Sequence, residues 1–212
     1  MAITTDLAPH SAAVLLTGFG PFPGMPENAS AALVRALSAR ARVAFKNYRF
    51  HAAILPTEWH AAPERVSALI SKLRPALALH FGVAKDAEGF RIETRGLNQC
   101  RMTADAAGRL PPAPVLIADA PEYYGTALPL DGIVGRLREL QLPVSTSDDA
   151  GGYLCNSVLY HTLHGSAPVA FKAGFVHIPS SLAAPGLSFE DAVTGSLEII
   201  RIALDDLAAS TR

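Results

Sequence analysis

Two cysteines in 212 residues, Cys100 and Cys155, are too few for a disulfide framework. No paired-cysteine motif occurs, and no two histidines flank a glutamate at helical ligand spacing, so the sequence offers no zinc motif. Neither sign of charge dominates: Lys+Arg 18 stand against Asp+Glu 19, for a formal net charge of -1. Without a basic stripe or run, the chain lacks the footprint of a phosphate-backbone binder, and no nucleic-acid partner is expected. Apolar runs are strand-sized, too short to span a bilayer, and the first residues show no basic region followed by a long apolar stretch. No membrane role is expected, and the location expected is cytoplasmic. A Gly-Lys-Ser/Thr phosphate loop, an internal repeat and a linker are also missing.

What is present is apolar: half of the residues are hydrophobic, enough for one large core, and the chain reads as a single domain over 1–212 with residues 1–11 a loose leader. Short continuous apolar runs closed by glycine or proline read as buried strands: Ala13 to Thr17, Tyr48 to Leu55, Ala76 to Phe81, Pro143 to Ser147 and Val169 to Ile178. Between them, helical spacing marks Ala29 to Ala39, a helix capped by Thr57 and ended by Pro75, Asp131 to Leu140, a helix from the Cys155 turn to about His164, and Phe189 to Ala209. Strands alternating with helices predict an α/β fold, a three-layer α/β/α sandwich around a largely parallel or mixed open sheet. From Val83 to Tyr124 the periodicity fails apart from an extended piece around Phe90 to Leu97, and an irregular stretch of that length usually serves function.

Ligands of open α/β sheets gather at the carboxyl ends of strands. Four segments reach such ends: the loop Gly18-Phe19-Gly20-Pro21-Phe22-Pro23-Gly24-Met25, the stretch beyond His80 leading to Glu93, the Asp149-Ala150-Gly151-Gly152-Tyr153-Leu154-Cys155 turn, and His177. Cys155 falls at the start of a helix, where unpaired N–H groups and the helix dipole favour a negative charge, and the thiolate is the form that attacks a carbonyl. A buried, inert cysteine is the competing reading. A thiol nucleophile needs an imidazole to take its proton and deliver it to the leaving amine, and His177 closes an apolar strand downstream. His161 and His164, on the same helix as Cys155, read as solvent-facing or locally packed, and Cys100 as a spectator. Gly18-Phe19-Gly20 after a strand also invites a nucleoside or dinucleotide reading, but the third glycine is missing.

In order, Leu16-Thr17-Gly18-Phe19-Gly20-Pro21-Phe22, Ile92-Glu93-Thr94-Arg95-Gly96-Leu97-Asn98, Asp149 to Asn156 and Phe175-Val176-His177-Ile178-Pro179 resemble the pyroglutamyl peptidase I family of cysteine peptidases. The likeness runs from about Val14 to the C-terminus. The resemblance implies a cytosolic, cofactor-free exopeptidase, often tetrameric, that acts on small peptides carrying an N-terminal pyroglutamyl residue. It implies Cys155 as nucleophile, His177 as general acid/base and Glu93 as the carboxylate orienting the imidazole. Phe19 and Phe22 match the family's aromatic pair around the lactam ring, Asn28 its asparagine after the turn, and Arg101 an arginine near the active site. Two positions depart: Pro23-Gly24 replaces a common glycine pair, and Val83 stands where many members have glutamine. These departures leave open a catalytically repurposed, lactam-binding relative as the alternative.

Overall fold

The computed structural model describes residues 12–166, 171–183 and 186–210, so the leader at 1–11 and the start of the strand expected at Val169 lie outside the described residues. The element order is β1 (Ala12–Phe19), α1 (Ala29–Ala44), β2 (Tyr48–Leu55), α2 (Ala61–Leu73), β3 (Leu77–Ala84), β4 (Phe90–Glu93), β5 (Arg95–Leu97), β6 (Tyr123–Gly125), α3 (Leu130–Glu139), β7 (Val144–Ser147), α4 (Leu154–Ser166), β8 (Lys172–Pro179) and α5 (Phe189–Ser210). Six strands form one sheet in the order β2-β1-β3-β8-β4-β7, and β5 and β6 form a two-stranded antiparallel sheet. β1, β2, β3 and β8 run parallel, whereas β4 is antiparallel to β8, so the sheet is mixed.

The side-chain alternation of each strand divides the interior into two cores. Val14, Leu16, Leu79, Phe81, Ile92 and Val176 point toward the layer of α1, α3 and α5. Leu15, Phe19, Ala78, Ala173 and Phe175 point toward α2 and α4. The α/β/α sandwich is therefore built as the pattern requires, and the α2–α4 face is the one that also holds buried polar groups: Thr17, His80, Glu93 and His177 occupy the alternate positions on that side. Because β2 and β3 flank β1 on opposite sides, the chain leaves β1 and β3 in opposite directions, opening a crevice at their carboxyl ends.

Thr57 does not cap α2, contrary to expectation. The helix begins at Ala61, and the Thr57 hydroxyl instead donates to the Gly20 carbonyl at 3.2 Å, fastening the loop after β1. The short β6 strand also has no periodicity signal, since three residues cannot display one.

The stretch 98–122 lacks regular structure yet is well tied by side chains. The Asn98 carboxamide accepts from Leu116 and Ile117 N–H at 3.0 and 2.9 Å and donates to the Ile117 and Ala120 carbonyls at 2.8 and 3.2 Å. Asp105, 1% exposed, accepts from the N–H groups of Trp59, Ala107 and Arg109 at 2.9–3.0 Å. Burial opposes that charge, but the three N–H donors and the nearby Arg109 hold the carboxyl below its ordinary range. Such self-satisfied loops bury backbone polar groups without a sheet.

α4 lies directly on β5: a Cβ on Gly96 would come within 2.9 Å of the Tyr160 backbone. Gly96→Ala should therefore push the helix off the strand and cost about 1–3 kcal/mol of unfolding free energy. A urea denaturation midpoint equal to that of the wild type would contradict this packing.

Candidate active site

The turn after β7 is shaped for α4's first residues. Ser147 Oγ accepts from Asp149 N–H at 3.1 Å, and Asp149 Oδ1 accepts from Gly151 N–H at 2.9 Å. Gly151 has φ +78°, a conformation that glycine adopts without penalty. The chain then enters α4 at Leu154, placing Cys155 in the first turn, where N–H groups have no partner four residues back. Asn156, fully buried, accepts from Leu97 N–H and donates to the Leu97 and Gln99 carbonyls, each at 2.8 Å. The residue after Cys155 thereby clamps the segment that leads from Glu93 to Arg101.

Three strands complete the site. His177 on β8 is 5% exposed, and its Nδ1 lies 2.8 Å from Oε1 of Glu93, which is fully buried on β4. The carboxylate can only accept, so Nδ1 carries the proton and Nε2 is left for the Cys155 sulfur, which is within hydrogen-bonding reach. On the third strand, β3, Gly82 is the register partner of His177. A Cβ there would fall 2.9 Å from Cys155 Sγ and 2.7 Å from Phe175 Cζ, so the bare backbone makes room for the sulfur.

The electrostatics separate two histidines on the same face. Burial disfavours the charged form of His177, but its interactions with Cys155 and Glu93 outweigh it and raise the imidazole to about 9. His80, completely buried with only Thr17 Oγ1 at 2.7 Å, is lowered to about 3 by burial and stays neutral. Only His177 can hold a proton beside the sulfur at neutral pH.

Phe19 packs its ring 6.3 Å from that of Phe175, which in turn lies 4.8 Å from the His177 ring, so an aromatic floor reaches from the loop after β1 to the imidazole. Phe175 was not singled out by sequence reasoning, although its position two residues before His177 on a strand puts both on one face. Phe22 stands on the outer limb of the same loop, half-buried, joined to Met25 by two backbone hydrogen bonds. Gly24 takes φ +81° there while Pro23 does not leave negative φ, so the Pro23-Gly24 departure is conformationally compatible.

Asn28 shapes the loop. Its Oδ1 accepts from Ser30 N–H and Oγ–H at 3.1 and 2.8 Å, capping α1, and its Nδ2 donates to the Gly20 carbonyl at 3.1 Å. Gly18 is required by the same helix, since a Cβ would come 2.6 Å from the Ser30 carbonyl oxygen. That accounts for one glycine of Gly18-Phe19-Gly20 by close helix packing, with no phosphate needed. Arg101 runs its side-chain stem across Gly152, whose Cβ would meet Arg101 Cγ at 2.5 Å, and its N–H donates to the Gly152 carbonyl at 2.8 Å. Arg101 therefore flanks the turn three residues before Cys155. Val83 turns its side chain to the opposite core with α1 and α5, so only its backbone faces the crevice.

Gly82→Ala should slow alkylation of Cys155 at least about tenfold, because the new methyl group displaces either the sulfur or Phe175. Wild-type alkylation kinetics in that variant would show that Gly82 does not floor the Cys155 sulfur.

Known proteins resemble this chain over most of its length. A family profile described as pyroglutamyl peptidase matches residues 12–203. The pyrrolidone-carboxylate peptidase of Chromobacterium violaceum is 36% identical over 167 residues, covering 78% of this chain and 77% of that protein. That of Bacillus cytotoxicus is 31% identical over 201 residues, covering 90% and 92%. Among solved structures, a mutant pyrrolidone carboxyl peptidase from Pyrococcus furiosus superimposes with a TM-score of 0.84 at 27% identity, covering 92% of this chain and 99% of that one.

Proposed function

The chain belongs to the pyroglutamyl peptidase family, and from that premise we propose that it hydrolyses the bond after an N-terminal pyroglutamyl residue of small peptides through a Cys155–His177–Glu93 triad. The observation that carries the reading is the buried 2.8 Å contact between His177 Nδ1 and Glu93 Oε1, with the imidazole's other nitrogen turned to Cys155 in a helix's first turn.

In the first half-reaction the Cys155 thiolate attacks the pyroglutamyl carbonyl carbon, and the carbonyl oxygen takes the negative charge. N–H groups at the start of α4 supply donors for that oxyanion, and Arg101 stands beside the same turn. The tetrahedral species collapses as the C–N bond breaks, the His177 imidazolium gives its proton to the departing amine, and a thioester remains. Neutral His177 then takes a proton from water as the water oxygen attacks the thioester. The C–S bond breaks, pyroglutamate leaves, and the thiolate–imidazolium pair is restored. Glu93 keeps Nδ1 protonated and the ring aligned throughout.

Selectivity follows from what the pocket lacks. Pyroglutamate is a flat lactam with no ammonium group, suited to the face of Phe19 with Phe22 closing from the loop. An ordinary free N-terminus would bury an unpaired positive charge there, at a cost of several kcal/mol, enough for rejection. Asn28 contributes by holding the Gly20 carbonyl, and so the height of the loop over the ring. No helix of the described residues is long and apolar enough to cross a membrane. A cytoplasmic location and association into a homotetramer are part of the same proposal, on the family's pattern.

Cys155→Ser should leave the fold intact and lower hydrolysis of a chromogenic pyroglutamyl amide by about a thousandfold or more. Full activity in that variant would end the proposal. A second outcome concerns pH. His177 is raised, so the proton it donates is present below about pH 9 and lost above it, and kcat/KM should fall as pH rises through about 9. Glu93→Gln removes one of the charges that hold the imidazolium, and should move this limb to lower pH. A limb that stays in place in the variant would contradict the coupling.

A further inference from the structure

Residues 85–89 form a strap that carries the chain from the carboxyl end of β3 to the start of β4. Because β8 lies between those two strands, the strap crosses the end of β8, and its Ala87 and Glu88 share a surface cleft with Pro179, the last residue of that strand. The crossing brings two charges of this strap and strand to the open side of His177.

The first is a cation. In the antiparallel pair of β4 and β8, Arg91 is the register partner of His177. Directly opposed residues send their side chains to the same face, with Cβ atoms about 4.5–5.5 Å apart, so a permanent positive charge is rooted beside the imidazole. Left alone, that charge works against an imidazolium.

The second charge answers the first. Asp86 Oδ1 and Oδ2 accept from Arg91 Nη1 and Nη2 at 3.2 and 3.1 Å, and the Asp86 carbonyl oxygen accepts from Nη2 at 3.1 Å. Hydrogen bonds from Arg91 hold the exposed Asp86 carboxyl below its ordinary range, and the charge of His177 acts in the same direction. Such coupling is mutual, so the carboxylate favours the imidazolium in return. The other groups around the ring come from every neighbouring element: Cys155 from α4, Glu93 from β4, and from β3 only Gly82, with the neutral His80 two residues lower. Lys85 and Glu88, the remaining charges of the strap, are exposed and opposite in sign.

We propose that Asp86 is a positioning residue for His177: its carboxylate neutralises Arg91, the cation rooted across the strand pair, and so preserves the protonated ring beside Cys155. The inference rests on the pairing of Cys155 with His177 read above, and concerns what keeps the proton on that pair. The strap thereby takes part in the proton chemistry without touching substrate.

Asp86→Asn removes the charge while leaving a side-chain oxygen and the carbonyl to accept from Arg91, so the strap keeps its anchor. The test follows the His177 imidazole by NMR through the alkaline range on the full chain, and the resonance missing from His177→Asn identifies it among the seven histidines. Wild type should titrate near 9. Asp86→Asn should titrate about half a pH unit lower and Arg91→Gln about half a pH unit higher, the size expected of one solvated charge several ångströms away. The double variant should return to the wild-type midpoint, and Asp86→Glu should retain it. Molar salt should erase the differences among the variants, because ions reach a pair at the crevice rim. A merely structural role for Asp86 would not give opposite signs in the two single variants. The ring is read directly, so the two readings fail separately: the expected order of midpoints in a chain with no pyroglutamyl amide hydrolysis would refute the peptidase and uphold the role of Asp86. Hydrolysis by a chain in which Asp86→Asn titrates at or above wild type would overturn that role alone. A double variant no closer to wild type than either single one would overturn it as well.

Discussion

A carboxylate with no solvent contact survives in a protein interior only when something nearby compensates it, and Glu93 is such a group: fully buried, with Oε1 on His177 and Oε2 without a hydrogen-bond partner. His177 is placed to supply that compensation, since the imidazole is raised to about 9 and so carries a proton at neutral pH. Cys155 on its other side also favours the charged imidazole. The three groups are thus interdependent, two of them buried and the sulfur partly exposed, and the elements carrying them are constrained together. β4 must run antiparallel to β8 to bring Glu93 beside His177, and α4 must start where its first turn meets Gly82.

That requirement explains the one irregularity of the sheet. A uniformly parallel arrangement would send the carboxyl end of β4 to the same edge as the end of β8. In the antiparallel pair, Arg91 lies opposite His177 and Glu93 opposite Phe175, one pleat deeper. The carboxylate therefore approaches the ring from inside the sheet, away from water, while the sulfur approaches from the open end. The depth difference keeps one partner dry and the other reachable by substrate. Asn156 secures the arrangement by tying α4 to the backbone between β5 and Arg101 with three hydrogen bonds.

Much of this was legible in the residues because the strands are buried on both faces and so are written as continuous apolar runs closed by glycine or proline. Cys155 was placed at a helix start by its glycine-rich turn, and His177 at a strand end by the run Phe175 to Pro179. Glu93 was not legible from pattern, since a single carboxylate after an irregular stretch looks like a solvated one; only the ordered family motifs singled it out. Thr57 misled because a threonine before a helix has two uses for its hydroxyl, and here the Gly20 carbonyl won over the helix end. Loop 98–122 and β6 were opaque for a different reason. The loop rests on Asn98 and Asp105 satisfying backbone groups as far off as Trp59, and β6 on pairing with β5, and such contacts leave no periodic trace.

The same reasoning bears on Val83. On a strand, successive side chains face opposite layers, and Gly82 already occupies the crevice side, beneath the sulfur. Any residue at position 83 must therefore send its Cβ toward α1 and α5, where Val83 packs against the apolar core. A longer polar side chain there would reach the crevice only by passing the end of the strand, which is half-buried at this point. Valine at this position thus trades a possible side-chain contact for core packing while leaving its backbone groups in place. On the proposed function, a lactam would then be held by ring faces and main-chain groups more than by side-chain amides. The Phe19 and Phe22 rings would, under that proposal, carry more of the binding, while the places of Cys155, His177 and Glu93 are unaffected.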